Sequence, residues 1–235
     1  MQLYLIRHAE SENNARPGYQ RVEDPPITAV GRLQAQYLAT WARTMKIDAL
    51  ITSPFLRTLQ TTRAITDAAD ADAAVTDVVI VPVSIGPVAI WHNVFERGGC
   101  YRGYRDDQRE GGQGLGRSAI LKHMPGAIVD DTISEAGWWG RDRETDAETL
   151  QRASDVIMRL VETFGGSGKH VVAVIHAEFK RHLLAQMLHG LADANQFGPL
   201  RNTGITKIDF DGTRWRLDWL NSVSHLPVRL VTGVE

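Results

Sequence analysis

The chain has 235 residues, with 26 Lys and Arg against 28 Asp and Glu, eight His and one Cys, for a formal net charge of −2. At 43% hydrophobic and 23% charged residues this is the composition of a folded globular protein, and it excludes a disordered, collagen-like or membrane-embedded chain. The near balance of charge gives no electrostatic case for nucleic acid as the main partner, and one cysteine closes no intramolecular disulfide, so a reducing, cytoplasmic setting is expected. Leu3-Tyr4-Leu5-Ile6 is a short unbroken apolar run, the pattern of a strand buried on both faces of a parallel sheet, and it leads directly into Arg7-His8. After a loop carrying Pro17, Gly18 and Pro25-Pro26, Thr28 is placed to cap a helix whose Val30, Leu33, Tyr37, Trp41 and Met45 recur at helical spacing and form its expected sheet-facing side. Ala49 to Thr52 reads as a second strand, followed by Ser53 as N-cap and Pro54 as the first helical residue, with Leu59 and Ile65 inside the helix.

Thr145 and Glu148 form a capping-box pair ahead of an amphipathic helix through Leu150, Val156, Ile157, Leu160 and Phe164, closed by Gly165-Gly166. Val171 to Ile175 is a further buried-type strand running into His176, and Phe179, Leu183, Leu184 and Leu188 continue as a helix. Ile205 to Phe210 and Thr213 to Leu220 flank Asp211-Gly212, a two-residue hairpin signal. Strands alternating with helices predict an α/β fold: a mostly parallel central sheet flanked by helices, with an antiparallel edge hairpin, in a single domain over 1–235. No apolar stretch reaches the roughly eighteen residues of a membrane span, so no membrane partner is expected. Glycine-rich and weakly periodic, the segment 97–145 is expected to be a lid-like insertion that shapes the substrate site.

In open α/β sheets ligands sit beyond the carboxyl ends of the strands. Three predicted strand ends deliver Arg7-His8, the Ser53 to Arg57 turn and His176, and two of them run into helix N-termini, which present free N–H groups and the positive end of the helix dipole. The ligand these groups suit is a small anion, most simply phosphate, because a guanidinium holds two phosphate oxygens at once. A neutral imidazole attacks phosphorus when its second nitrogen is held protonated by an acceptor, and His8 is placed for that role.

Arg7-His8-Ala9-Glu10-Ser11 with Asn14, the stretch Asp24-Pro25-Pro26-Ile27-Thr28 followed by Gly31, Ser53-Pro54-Phe55-Leu56-Arg57-Thr58, and Val174-Ile175-His176-Ala177 together resemble the histidine phosphatase superfamily, also called the phosphoglycerate mutase-like family. Four motifs in the right order, spread over both ends of the chain, make the likeness specific. The resemblance implies a phosphohistidine mechanism without a cofactor or metal. His8 would be the nucleophile, and Arg7, Asn14, Arg57, His176 and Ala177 would form the phosphate-binding set. Glu96 would be the carboxylic acid that protonates the leaving alkoxide, with Glu178 as rival for that role. The departures are Ala9 and Ala177, where many members carry glycine, a change that puts pocket shape rather than chemistry in question.

The expected function is therefore metal-independent hydrolysis of a small phosphorylated metabolite. The alternatives are a phosphoglycerate mutase, for which the Glu96-Arg97-Gly98-Gly99 stretch lacks the tyrosine-containing continuation, and an idle phospho-ligand-binding member. Tyr101, Tyr104, Trp138 and Trp139 are candidates for the substrate wall, or for packing the insertion on the sheet. Arg102, Arg105, Arg109 and Arg117 stand as charged loop residues that either meet an acidic substrate group or are solvated. His225 is expected to be structural, and a homodimer is expected from base rates.

Overall fold

The structure, a computed structural model, describes residues 1–70, 84–103, 109–189 and 193–233. Its strands are β1 (Gln2–Arg7), β2 (Ala49–Thr52), β3 (Val88–Ile90), β4 (Tyr101–Arg102), β5 (Glu110–Gly111), β6 (Ile128–Val129), β7 (His170–Ile175), β8 (Ile205–Phe210) and β9 (Trp215–Ser222). Its helices are α1 (Glu12–Ala15), α2 (Ala29–Ala42), α3 (Leu56–Asp70), α4 (Arg117–His123), α5 (Asp146–Phe164) and α6 (Ala177–Met187). Seven strands form one sheet in the order β6-β3-β2-β7-β1-β8-β9, and β4 and β5 make a separate antiparallel pair. The first five of the seven run parallel, while β8 and β9 are antiparallel additions. Among the described residues no helix is long and apolar enough to cross a membrane.

Alternation along the central strands builds both layers of the core. Leu3, Leu5, Ile51, Val171, Ala173 and Ile175 face α5 and α6, meeting Val156, Leu160, Phe179 and Leu183. The residues between them, Tyr4, Ile6, Leu50, Val172 and Val174, face the other way onto Leu38, Ala42 and Ile65 of α2 and α3. A strand covered on both faces has no solvent side, which is why these segments read as unbroken apolar runs.

Three local readings are corrected. Helix α2 buries Gln34, Ala35, Leu38, Ala39 and Ala42, whereas Leu33 and Tyr37 stand exposed. Its inner side is set by Gln34, whose amide accepts from the Glu10 N–H and donates to the Leu230 carbonyl, and by Gly31, where a Cβ would collide with the Glu10 carbonyl oxygen. The β8–β9 turn spans Asp211 to Arg214 rather than two residues, because the Asp211 carboxylate accepts from the Thr213 and Arg214 N–H groups. Helix α3 starts at Leu56, two residues beyond Pro54, and its first N–H donates to the Asp24 carboxylate at 2.9 Å.

Much of the segment expected to be a lid is part of the body. Ile120, Met124, Val129, Ile133 and Trp138 share a core with Phe55, Leu59, Ile90 and Phe95, and β6 extends the main sheet. Trp138 is buried and Trp139 packs beside it, with the Trp139 ring lying where a Cβ on Gly99 would sit, so both tryptophans pack rather than line the cavity. Gly99 has φ +83, and only glycine serves both the turn and the ring.

Candidate active site

Strand register brings the chemistry together. Arg7 pairs with Ile175 across β1 and β7, and Thr52 pairs with Val174 across β2 and β7. His8 and His176, which follow, therefore emerge level with one another at the carboxyl edge, with Ser53 one position behind. They border a cavity of about 180 Å³ whose wall includes Arg7, His8, Asn14, Arg57, Glu96 and Ala177. Six of the seven residues named from the sequence thus line one space. His176 does not; it lies fully buried behind Arg57.

The tautomer of His8 is fixed by its neighbours. Nδ1 lies 2.7 Å from the Ala9 carbonyl oxygen, which only accepts, so Nδ1 carries the proton. Nε2 therefore keeps its lone pair, and the Arg57 Nε–H donates to it at 3.2 Å. Burial, reinforced by the Arg57 and Arg7 charges, holds the His8 pKa well below the usual imidazole range, so the ring is neutral near pH 7. Behind it Asn202 donates to the His8 carbonyl at 3.1 Å, and to the Asn14 oxygen at 3.3 Å. The same Asn14 oxygen accepts from the Ser11 N–H and hydroxyl, which fixes the orientation of the amide.

Arg57 is the hub. Its guanidinium donates to His176 Nδ1 at 3.1 Å, so the His176 proton sits on Nε2 and points to the Ser53 hydroxyl at 2.9 Å. It also stacks on Phe55 at 3.9 Å and approaches Asp24 at 3.9 Å. Burial pushes the Asp24 carboxyl up to about 6 and brings Arg57 down to about 10, which still leaves Arg57 charged at neutral pH. Burial also depresses the His176 pKa, with Arg57 adding to the effect. Arg7 donates to the Leu200 carbonyl at 2.6 Å.

Glu96 reaches across to the start of α6. Its carboxylate accepts from the Phe179 N–H at 3.0 Å and the Arg97 N–H at 2.9 Å, and more distantly from the Glu178 N–H. Glu178 also borders the cavity, but its carboxylate is tied to Arg181. Burial, and then the negative charge of Glu96, raises the Glu178 pKa. The Glu96 loop is pinned from below by Arg152, which is sandwiched between the Phe95 and Phe179 rings at 3.7 and 3.8 Å. Arg152 donates to the Asn93 and Phe95 carbonyls and makes a two-pronged pair with the buried Glu144. Neither Ala9 nor Ala177 takes a positive φ, so alanine costs no strain there.

Sequence reasoning missed Asn202, Arg152 and three arginines at the cavity mouth, Arg21, Arg97 and Arg143. Of the arginines it weighed, Arg102 pairs with Glu110, Arg117 holds the Val129 and Asp130 carbonyls, Arg109 stacks on Tyr101, and Arg105 lies outside the described residues, as does Tyr104. Tyr101 does line the cavity. His225 bonds Thr203 at 3.0 Å away from it.

Comparison with known proteins places this geometry. The family model described as "Histidine phosphatase superfamily (branch 1)" matches residues 3–79 and 111–223. A protein of Enterobacter sp. (strain 638) named "Probable phosphoglycerate mutase GpmB" is 27% identical over 231 residues, covering 96% of this chain and 95% of its own. Among solved structures, an alpha-ribazole phosphatase from Shigella flexneri superposes with TM-score 0.63 at 23% identity, over 100% of both chains. A mutant phosphoserine phosphatase from Entamoeba histolytica, in complex with phosphoserine, gives 0.59 at 20% identity, covering 96% of this chain and 99% of its own. These two likenesses are of fold.

Proposed function

Because the chain belongs to the histidine phosphatase superfamily, branch 1, we propose that it hydrolyses small phosphomonoesters through a phosphohistidine formed at His8. The observation that carries this reading is the His8 tautomer: Nδ1 donates to the Ala9 carbonyl, and the Nε2 lone pair faces Arg57 beside the cavity. A phosphoryl group entering there replaces the Arg57 contact, and Nε2 attacks phosphorus in line as the P–O bond to the leaving alkoxide breaks. Arg7, Arg57 and Asn14 take the charge that spreads over the equatorial oxygens. Fully buried, His176 serves by holding Arg57 in place.

The leaving oxygen takes a proton from a carboxylic acid, which then accepts one from the water that cleaves the N–P bond. Glu96 suits the role better than Glu178, because backbone N–H groups of two segments fix it at the cavity wall while Glu178 is drawn toward Arg181. Every step uses the chain's own side chains. A second reading, transfer within phosphoglycerate, is favoured by the name of the full-length relative. The experiment is phosphate release from an aryl phosphate between pH 5 and 8 with excess chelator, for wild type and His8→Ala. Turnover by wild type that is lost in the variant, with acid-labile phosphate bound to wild-type protein alone, is the expected result. Isomerisation of phosphoglycerate without phosphate release would transfer the assignment to the second reading.

A further inference from the structure

One buried carboxylate beside the site has no task in the chemistry above. The Asp24 side chain is 11% exposed and does not border the cavity. Its Oδ1 accepts from the Leu56 N–H at 2.9 Å and stands 3.9 Å from Arg57 Nη1, too far for a hydrogen bond. Its Oδ2 is buried without a hydrogen-bond partner. Leaving a buried carboxylate oxygen unsatisfied costs stability, so an acceptor kept in that state beside a guanidinium calls for a reason.

Arg57 supplies one. Its Nε donates to His8 Nε2, its Nη2 donates to His176 Nδ1, and Nη1 is the nitrogen nearest Asp24. The first of these contacts occupies the lone pair that has to attack phosphorus, so it breaks before reaction. Asp24 itself is fixed, because the stretch from Asp24 to Ile27 is fastened to α3, the helix that carries Arg57, at both ends. The Leu56 N–H donates to Asp24, and the Ile27 N–H donates to Gln60 Oε1 at 2.8 Å. Pro25 and Pro26 stiffen the residues between. The Phe55 ring beneath the guanidinium keeps its plane and tolerates rotation within it. A guanidinium that turns about its His176 contact, moving Nε off His8, has only about 1 Å to close before Nη1 reaches hydrogen-bond distance of Asp24. The charged groups facing Asp24 are Arg57 on α3 and Glu23 on its own loop; Arg21 and Glu96 are felt at Arg57, and the nearby Cys100 thiol, pushed up to about 12 by burial, stays neutral.

Resting on the phosphohistidine reading, we infer that Asp24 is a positioning residue: as a phosphoryl group reaches His8, Asp24 draws Arg57 off Nε2, releasing the nucleophile and holding the guanidinium against the phosphate. The carboxylate has to be charged to do so. Burial raises it to about 6, so its pull weakens as pH falls through that value.

The test measures calorimetric binding of inorganic phosphate, and kcat/KM for an aryl phosphate, from pH 5 to 7.5 in wild type, Asp24→Asn and Asp24→Ala. Asp24→Asn keeps an oxygen for the Leu56 N–H, so it should fold and melt close to wild type. At pH 7.5 it is expected to fall about tenfold below wild type in both measures, the weight of one charge-assisted hydrogen bond. At pH 5 the wild-type carboxyl is largely neutral, and the ratio between the two proteins should shrink to about twofold, since the titration of the probe and of the other site groups cancels in it. Asp24→Ala, which lacks the Leu56 bond as well, should melt lower yet lose no more binding than Asp24→Asn. A ratio that stays constant with pH, or a loss of binding that tracks the melting temperature across the two variants, makes Asp24 structural and overturns the proposal. Wild type that binds phosphate with this pH-dependent ratio to Asp24→Asn but releases none from the ester leaves the role of Asp24 standing and overturns the phosphatase reading.

Discussion

Glu96 and Glu178 show how position divides the work of two chemically similar side chains. Both border the cavity within reach of the same helix start, yet one is anchored by backbone N–H groups and the other by a flexible guanidinium. A general acid matters in proportion to how poorly the leaving group departs unaided. Glu96→Gln is therefore expected to slow an alkyl phosphate by about 10²–10⁴ and an aryl phosphate with an acidic phenol far less. Glu178→Gln should change both by similar small factors. The ratio of alkyl to aryl kcat decides the matter, and a leaving-group effect confined to Glu178→Gln would reverse the assignment.

Helix α6 meets the site with its first residues, and α5 braces it through a buried ion pair. Arg152 on α5 stacks between Phe95, next to Glu96, and Phe179, whose N–H anchors Glu96, while Glu144 takes the rest of its charge. Glu144 also accepts from the Thr149 hydroxyl and the Gly98 N–H, so the clamp grips both sides of the Glu96 turn. Breaking such a pair strands the remaining charge in the interior. Arg152→Met should lose about 3–5 kcal/mol in urea unfolding. Adding Glu144→Gln should recover part of that loss, because it removes the stranded charge. A single substitution within 1 kcal/mol of wild type would show that the pair adds nothing beyond packing.

Folding buries His8 and His176 side by side, with ring centroids 5.2 Å apart, and both have pKa values well below 6.5 in the native state. The unfolded chain protonates them near pH 6.5, so below that pH it binds more protons than the folded protein and stability falls as pH drops. Asp24 opposes this: raised from 3.8 to about 6, it binds a proton more readily when folded, which favours the native state as pH falls through that interval. Burial lowers His92, His182 and His225 as well, against Glu178 raised beside Asp24, so among the described residues the histidines set the direction. The melting temperature is expected to decline from pH 7 to pH 5, with a shallower decline in His8→Gln. A decline as steep in His8→Gln as in wild type would show that His8 does not carry it.

Much of this protein was legible before folding was considered, because the signals involved are local. Buried strands announce themselves as apolar runs, Thr28 and Thr145 cap their helices as read, and strand ends carry the reactive residues in whichever α/β sheet contains them. His8 and Arg57 stand at such strand ends, whereas Glu96 is pointed to only by the resemblance to the family. The inner face of α2 was hidden because apolar spacing does not reveal that Gln34 will satisfy a strand-end N–H and a C-terminal carbonyl. Arg152, Asn202 and the mouth arginines were hidden because their partners lie tens to hundreds of positions away along the chain. His176 was identified by its motif but set behind Arg57 by register. A sequence specifies which groups stand at the ends of its strands, whereas the packing of distant segments settles which of them faces the cavity, since that depends on contacts no single stretch contains.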